Sequence, residues 1–102
     1  MANKKLHIQL ISPNESKNEK VRRALRPFKN GIDVDMIIVR AFTGDFGILP
    51  GRAPCALKLG SGELRVFNEG NEKKFMIDGG LASVEQDIVT VLTDSIELVE
   101  AN

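Results

Sequence analysis

The chain of 102 residues has almost none of the side chains from which metal sites and redox centres are built. It contains one cysteine, Cys55, and one histidine, His7. An intrachain disulfide is therefore impossible, and a zinc site is nearly excluded because such sites need several of these ligands. A Cys–His nucleophile pair is formally available, but Cys55 alternates with Leu57 and Leu59, where a buried and inert thiol is the commoner meaning. We expect no cofactor, no metal and no enzymatic activity.

Tryptophan and tyrosine are absent, and only five phenylalanines are present. An aromatic platform for stacking bases is therefore poorly supplied. The 14 basic and 14 acidic residues cancel, so net charge provides no general attraction to nucleic acid or anionic lipid. No segment approaches the roughly eighteen apolar residues of a membrane span, and residues 1–5 lead into an alternating segment rather than a secretory signal. The sequence predicts a soluble, cytosolic protein with no nucleic-acid partner.

Short segments with alternating or continuous apolar residues recur along most of the chain. Turn signals rich in Gly, Asn and Asp separate them at intervals of roughly 8 to 12 residues, which is typical of an antiparallel sandwich or barrel. Among these signals, 60–62 reads as a strand end and Gly79-Gly80 as a tight reversal between two strands. We predict an all-β fold, an antiparallel sandwich or barrel, in a single domain over residues 1–102.

Residues 13–30 differ from the rest of the chain. Six basic residues outnumber the two acidic ones, which gives this stretch a charge of +4. Ser16 and Glu19 fit a capping box, and the apolar residues that follow recur at helical spacing until Pro27 limits the length. We predict a short helix or a basic loop at 15–28. A solvated helix face is the commoner explanation of its charge, and an anion site is the alternative.

The segment 44–54 combines three glycines and two prolines with three bulky apolar residues. Mobile linkers are mostly polar, so this composition predicts a rigid corner with apolar side chains beneath it. Asp45 and Arg52 are left near its two ends. The segment either only joins two strands or carries a functional contact, as loops on rigid scaffolds commonly do.

The same segment, GDFGILPGRAP, resembles the G-E-x-G-I-L-P-x-H-A-P segment of the epsilon subunit of F-type ATP synthases. Three further stretches follow in the family's order. Residues 60–66 are similar to its K-P-G-x-L-R-I, 75–84 to its F-x-V-S-G-G-F-L-E-V, and 89–94 to its V-T-V-L-A-D. The resemblance covers roughly residues 5–12 and 31–99.

The resemblance implies a β-sandwich of about ten strands that serves as a non-catalytic rotor subunit in the central stalk. Such a subunit binds the gamma subunit and the c-ring and couples ion-driven rotation to ATP synthesis or hydrolysis. It would lie at the cytoplasmic face of the bacterial inner membrane and touch the membrane only through the complex. Because a fold does not determine a function, a free-standing β-sandwich binding module or a small enzyme with this fold is the alternative.

The resemblance also assigns candidate site residues. Asp45, Phe46 and Arg52 are the implied c-ring contacts. The residues expected to hold the shape of that loop are Gly44, Gly47, Ile48, Leu49, Pro50, Ala53 and Pro54. For gamma, Ser12 is implied by its position in the family, and we add Ile37 and Val39 because both faces of their strand are apolar.

Three departures from the family pattern limit what is carried over. The stretch 13–30 is about eleven residues longer than the family usually has between its first two strands, so it contains an insertion. Arg52 stands where His is usual, so this contact should keep its positive charge and titrate less. The chain ends soon after Asp94, where the family continues into a helical hairpin, so we expect none of the ATP binding or inhibition that relatives owe to that hairpin.

Overall fold

The computed structural model describes residues 4–14 and 16–99. These residues form eight strands and one helix, in the order β1 (Leu6–Ile11), α1 (Glu19–Asn30), β2 (Ile32–Val34), β3 (Met36–Ala41), β4 (Gly44–Ile48), β5 (Cys55–Asn68), β6 (Asn71–Glu85), β7 (Ile88–Leu92) and β8 (Ile96–Leu98). The strands hydrogen-bond in the order β2-β1-β7-β6-β5-β3-β4, and β8 lies beside β6. All pairs are antiparallel except β1 with β7.

The two longest strands divide this sheet into two layers. β5 and β6 pair along nearly their whole length, but β7 pairs with residues 81–85 of β6 and β8 with residues 75–77. The first layer therefore contains β2, β1 and β7, and the second contains β8, β3 and β4. Buried side chains from both layers form one hydrophobic cluster. This arrangement confirms the predicted all-β sandwich, with eight strands instead of about ten because β5 and β6 each run through both layers.

The glycine pairs predicted as strand ends lie inside these two long strands. Leu59 pairs with Gly80, so Gly79-Gly80 is a bend within β6 and not a reversal between strands. At this point the buried side chains of both strands change from odd-numbered to even-numbered residues. The change occurs because the paired strands β5 and β6 pass from one layer to the other. Gly80 has φ 116°, and a Cβ there would lie 1.9 Å from the carbonyl oxygen of Leu92. The close approach of two backbones requires glycine at this position.

The Gly-, Asn- and Asp-containing turn signals at 68–71 and 85–87 form the turns on either side of β6. Glu69 and Gly70 connect β5 to β6 with φ of 51° and 81°. Gln86 and Asp87 connect β6 to β7 with φ of 51° and 63°. Two successive residues with positive φ form the tight turn that matches the twist of an antiparallel pair.

The apolar stretch that begins at Ile32 forms two strands, β2 and β3, which are separated at Asp35, where the chain crosses from the first layer to the second. The Asp35 carboxylate accepts a hydrogen bond from the Glu69 N–H at 2.7 Å and lies 2.8 Å from the Lys5 ammonium. Lys5 also donates to Asn68 Oδ1 at 2.6 Å. The hydrogen bond from Lys5, followed by that from the Glu69 N–H, holds the pKa of Asp35 below its usual value; the same Lys5–Asp35 bond raises the pKa of Lys5.

The predicted helix is present, but its ends differ from the prediction. Asn18 is the N-cap, because its side chain accepts from the Lys20 N–H at 2.9 Å, while the predicted cap, Ser16, accepts from the Asn18 N–H. Pro27 lies inside the helix and does not end it. The helix ends at Gly31, whose N–H donates to the Pro27 carbonyl at 2.9 Å.

Helix α1 packs against β1 and β8 and covers the side of the sandwich between them. Phe28 is buried and meets Phe75 edge to face, with ring centroids 5.2 Å apart. Val21 is buried one and a half to two turns earlier on the same helix. Helix α1 thus contributes to the core, with its charged residues directed to the solvent.

Candidate functional site

The segment 44–54 is not one corner, because its first five residues form the edge strand β4. Asp45 and Phe46 pair with Arg40 and Val39 of β3. Only residues 49–54 form the loop between β4 and β5. The predicted corner is therefore half strand and half loop.

A single hydrogen bond attaches the tip of this loop to the turn between β6 and β7. The Gly51 N–H donates to Asp87 Oδ1 at 2.7 Å. Gly51 has φ 89° and Asp87 has φ 63°, so both ends of this bond occupy the left-handed region. Asp is one of the few residues besides Gly that adopt the left-handed region readily. Asp87 can therefore occupy this turn position and place its carboxylate beside the Gly51 N–H.

Arg52 is fixed by an aromatic ring. Its guanidinium carbon lies 4.1 Å from the centroid of Phe46, a cation–π contact in which the ring and the charge attract each other. Phe46 is half-buried and packs against the hydrophobic core, so the ring itself is firmly placed. Arg52 therefore presents its charge from a defined position on the surface.

The structure does not bring Asp45 and Arg52 together as a pair. Asp45 forms an ion pair with Arg40, its cross-strand partner, at 3.0 Å. Successive side chains of a strand point to opposite faces, so Asp45 and the Phe46 ring that carries Arg52 lie on opposite faces of β4. The two predicted charges belong to two different surfaces.

The residues expected to hold the loop's shape fall into three groups. Ile48 is fully buried and anchors the end of β4, and Pro50 is half-buried. Leu49, Ala53 and Pro54 are exposed, so these side chains form surface. Gly44 and Gly47 lie in β4, where a Cβ would meet nothing within 4 Å.

Two of the three residues predicted to contact gamma are inside the sandwich. Ile37 and Val39 are 0% exposed and belong to the core cluster. They are therefore unavailable to a second chain, and the apolar run in β3 reflects burial within this one. Ser12 is half-buried at the end of β1, where its hydroxyl donates to the Asp94 carbonyl at 3.1 Å.

A row of exposed apolar side chains that was not among the predicted contact residues crosses the first layer beside Ser12. Ile11, Leu92 and Leu81 are direct neighbours on β1, β7 and β6 and are 38%, 45% and 45% exposed. Lys58 continues the row on β5 and lies over the ring of Phe42, 4.7 Å from its centroid. We refer to Ile11, Leu81 and Leu92 as the apolar strip.

The alternation of the strands does contain a signal for this strip. Leu6, Ile8 and Leu10 point inward, so the next apolar residue, Ile11, must point outward. Leu92 stands in the same relation to Val89 and Val91. An apolar residue out of phase with a buried series therefore marks an apolar outer face.

No group of three or more His, Cys, Asp or Glu residues stands close enough to hold a metal ion in residues 4–14 and 16–99. Over the same described residues, no helix is long and apolar enough to cross a membrane. Cys55 is a free, half-buried cysteine.

These features define a β-sandwich domain that presents an exposed apolar strip and the loop at 49–54, which is held by Asp87 and is called the pinned loop below. The chain belongs to the ATP synthase delta/epsilon chain β-sandwich family, whose family model matches residues 5–99. It is 39% identical over 67 residues to the ATP synthase epsilon chain of Caldicellulosiruptor saccharolyticus, covering 66% of this chain and 49% of that one. It is 38% identical over 68 residues to that of Bacillus subtilis, covering 67% and 52%. The chain thus spans about half the length of these curated relatives.

Two solved structures resemble the fold. One chain of the Euglena gracilis mitochondrial ATP synthase, in a structure of OSCP, F1 and the c-ring, superposes with a TM-score of 0.64 at 29% identity, covering 66% of this chain and 43% of that one. A chain from the central stalk and c-ring of the Tetrahymena thermophila mitochondrial ATP synthase gives 0.66 at 13% identity, covering 94% and 68%. At that lower identity, the second likeness shows the fold alone.

Proposed function

We propose that the chain is the β-sandwich part of an epsilon subunit, a non-catalytic subunit of the central stalk, or rotor, of a rotary F-type ATP synthase. It binds the gamma subunit and the c-ring and couples ion-driven rotation to ATP synthesis or hydrolysis. The family match over residues 5–99 and the epsilon-chain relatives support this assignment. The complex that contains it lies at the cytoplasmic face of a bacterial inner membrane, and the chain reaches the membrane only through the complex.

The observation that carries the proposal is the firmly held loop at 49–54. A subunit that transmits torque needs surfaces that keep their shape under load, since it performs no chemistry of its own. The bond from Gly51 to Asp87 and the stacking of Arg52 on Phe46 provide that rigidity. We assign this loop to the c-ring, with Arg52, Phe46 and, on the outer face of β4, Asp45 as contact residues.

The gamma-binding surface is the apolar strip together with Ser12. Interface cores are depleted in charge and enriched in apolar side chains, and exposed contiguous apolar surface is a common mark of a docking site. Ser12 directly follows Ile11, so the residue implied by family position adjoins the strip. This assignment replaces Ile37 and Val39, which are buried.

Binding of gamma tests this surface directly. Leu81→Asp should weaken capture of the chain by immobilised gamma subunit by about thirtyfold, since a central interface residue is worth about 2 kcal/mol. Met76→Asp is the matched control, because Met76 lies on the same strand at 44% exposure but in the second layer. Equal loss of gamma binding in the two variants, or none in Leu81→Asp, would remove the strip from the interface.

The alternative is a free-standing binding module or small enzyme with this fold. The same capture experiment separates the two, because the proposed subunit forms a stable complex with gamma. A wild-type chain that stays monomeric in the presence of gamma supports the alternative.

A further inference from the structure

A cleft of about 470 Å³ lies between β1 and α1, the helix of the stretch 13–30. Arg22, Arg26 and Lys29 line its helix side. They follow one another at intervals of four and three residues, which places them on one face of the helix. The opposite side is formed by polar residues of β1 and of the segment after it, namely Gln9, Ser12, Asn14 and Ser16.

The charge of this cleft is positive. Among the described residues that line it, none carries a carboxylate. Arg22 is 4.0 Å from Glu19, a long and exposed ion pair that neutralises little. Within the described part of the chain, the Arg26 guanidinium forms no hydrogen bond or ion pair. Two guanidinium groups therefore face the same space, and at least one is available to a ligand.

The position of the helix relative to the strand is fixed, so the cleft is preformed. Gln9 Nε2 donates to the Lys29 carbonyl at 3.1 Å, and Phe28 anchors the same turn in the core. The floor of the cleft is apolar, because Leu10 and Ile96 are buried and Leu25 is half-buried. A preformed apolar cavity with a few convergent polar groups is the usual form of a small-molecule site, and its volume is within the typical range of about 300 to 1,000 Å³.

We propose that this cleft binds a small organic phosphate, with the phosphate on Arg22 and Arg26 and the apolar part of the ligand on the floor. Guanidinium groups match phosphate oxygens in pairs and bind them more strongly than neutral donors do. On the strand side, the amides of Gln9 and Asn14 donate one N–H each to the Lys29 and Asp94 carbonyls, and the second N–H of each amide is a further donor position. The proposal is argued only from residues of the cleft, two of which, Ile11 and Ser12, also belong to the surface assigned to gamma.

Titration of the full chain with phenyl phosphate, followed by amide NMR, tests the proposal. Saturable shifts should cluster at Leu10, Ser12 and Leu25. The double variant Arg22→Ala/Arg26→Ala should weaken the binding of phenyl phosphate by about tenfold or more, because each of the two substitutions removes a charge-assisted hydrogen bond to the phosphate. The control Lys20→Ala/Arg23→Ala removes the same charge from the same helix, but its residues line a groove on the other side. It should change the affinity by less than about twofold, because only screened, long-range attraction is lost.

Two further probes, inorganic phosphate and phosphatidylglycerol vesicles, distinguish a free organic phosphate from a lipid headgroup as the ligand. Tighter binding of phenyl phosphate than of inorganic phosphate supports an organic ligand that uses the apolar floor. Binding to phosphatidylglycerol vesicles that is lost only in the Arg22/Arg26 variant supports a lipid headgroup as the source. Phenyl phosphate shifts that do not saturate, or equal weakening by both double variants at unchanged circular dichroism, would overturn the proposal.

Discussion

Gly80 is the residue on which the passage of the β5–β6 ribbon between the two layers most depends. Gly80→Ala should lower the free energy of unfolding by about 3 kcal/mol or more, because the new Cβ meets the Leu92 backbone at an unfavourable φ. Gly79→Ala is the control, since its Cβ would have only Asp94 Oδ2 nearby, at 3.8 Å, and should cost about 1 kcal/mol. Denaturant unfolding measures both, and equal effects would contradict this account of the bend.

The Lys5–Asp35 pair should make stability depend on pH at both extremes. Asp35 has a lowered pKa in the folded chain, so its contribution is present above the ordinary value of 3.8 and is lost as pH falls through the folded pKa. Lys5 has a raised pKa, so its contribution is present below 10.5 and is lost as pH rises through the folded pKa.

Comparison of wild type with Asp35→Asn over a range of pH measures the acid side of this dependence. The variant should be less stable at neutral pH, and the difference should shrink as pH falls below about 4. Glu97→Gln, also an exposed carboxylate, serves as the control for loss of one negative charge. A stability difference between wild type and Asp35→Asn that stays constant down to low pH would argue against the pair.

At the scale of elements, the loop at 49–54 should owe its order to Asp87. Asp87→Gly removes the acceptor of the Gly51 N–H without strain, because glycine tolerates φ 63°. The Gly51 amide should then exchange with solvent roughly tenfold faster, since a hydrogen bond of this kind is worth about 1 to 2 kcal/mol. Asp87→Asn keeps an acceptor oxygen and should exchange near the wild-type rate. Fast exchange of Gly51 in the wild type would show that the bond does not order the loop.

Elements with a local cause were predictable from the sequence. Alternation of Leu6, Ile8 and Leu10 predicted β1 because this strand buries one face, and the residues from Asn68 to Asn71 predicted a turn because turn residues reach positive φ. The helix was predictable from its period, but Ser16 and Asn18 are both good caps and only the observed bond to Lys20 distinguishes them.

Features with a distant cause were not predictable. The pair Gly79-Gly80 predicts an unusual backbone conformation. Whether the chain reverses or only bends there depends on the Leu92 carbonyl, which is remote in sequence. The candidate site shows the same limit. Its segment could be located from the resemblance, whereas its support by Asp87 and the pairing of Asp45 with Arg40 come from strand register.

At the scale of the whole molecule, the proposed function depends on surfaces at different parts of one rigid sandwich. The pinned loop is held at the start of β7, and the apolar strip crosses the end of β7. Five residues of strand place these features about 15 Å apart. A single rigid domain can therefore contact two neighbours and carry force between them.

The most direct test of this account is the number of ions pumped per ATP hydrolysed by an ATP synthase reconstituted with this subunit. The charge reversal Asp45→Lys/Arg52→Glu should reduce ion pumping several-fold while ATP hydrolysis continues, because it disrupts the c-ring contact. The control Arg23→Glu/Glu97→Lys, two exposed residues away from the loop, should pump as wild type. Unchanged pumping per ATP in Asp45→Lys/Arg52→Glu would contradict the central claim that β4 and the loop at 49–54 together couple the rotor to the ring.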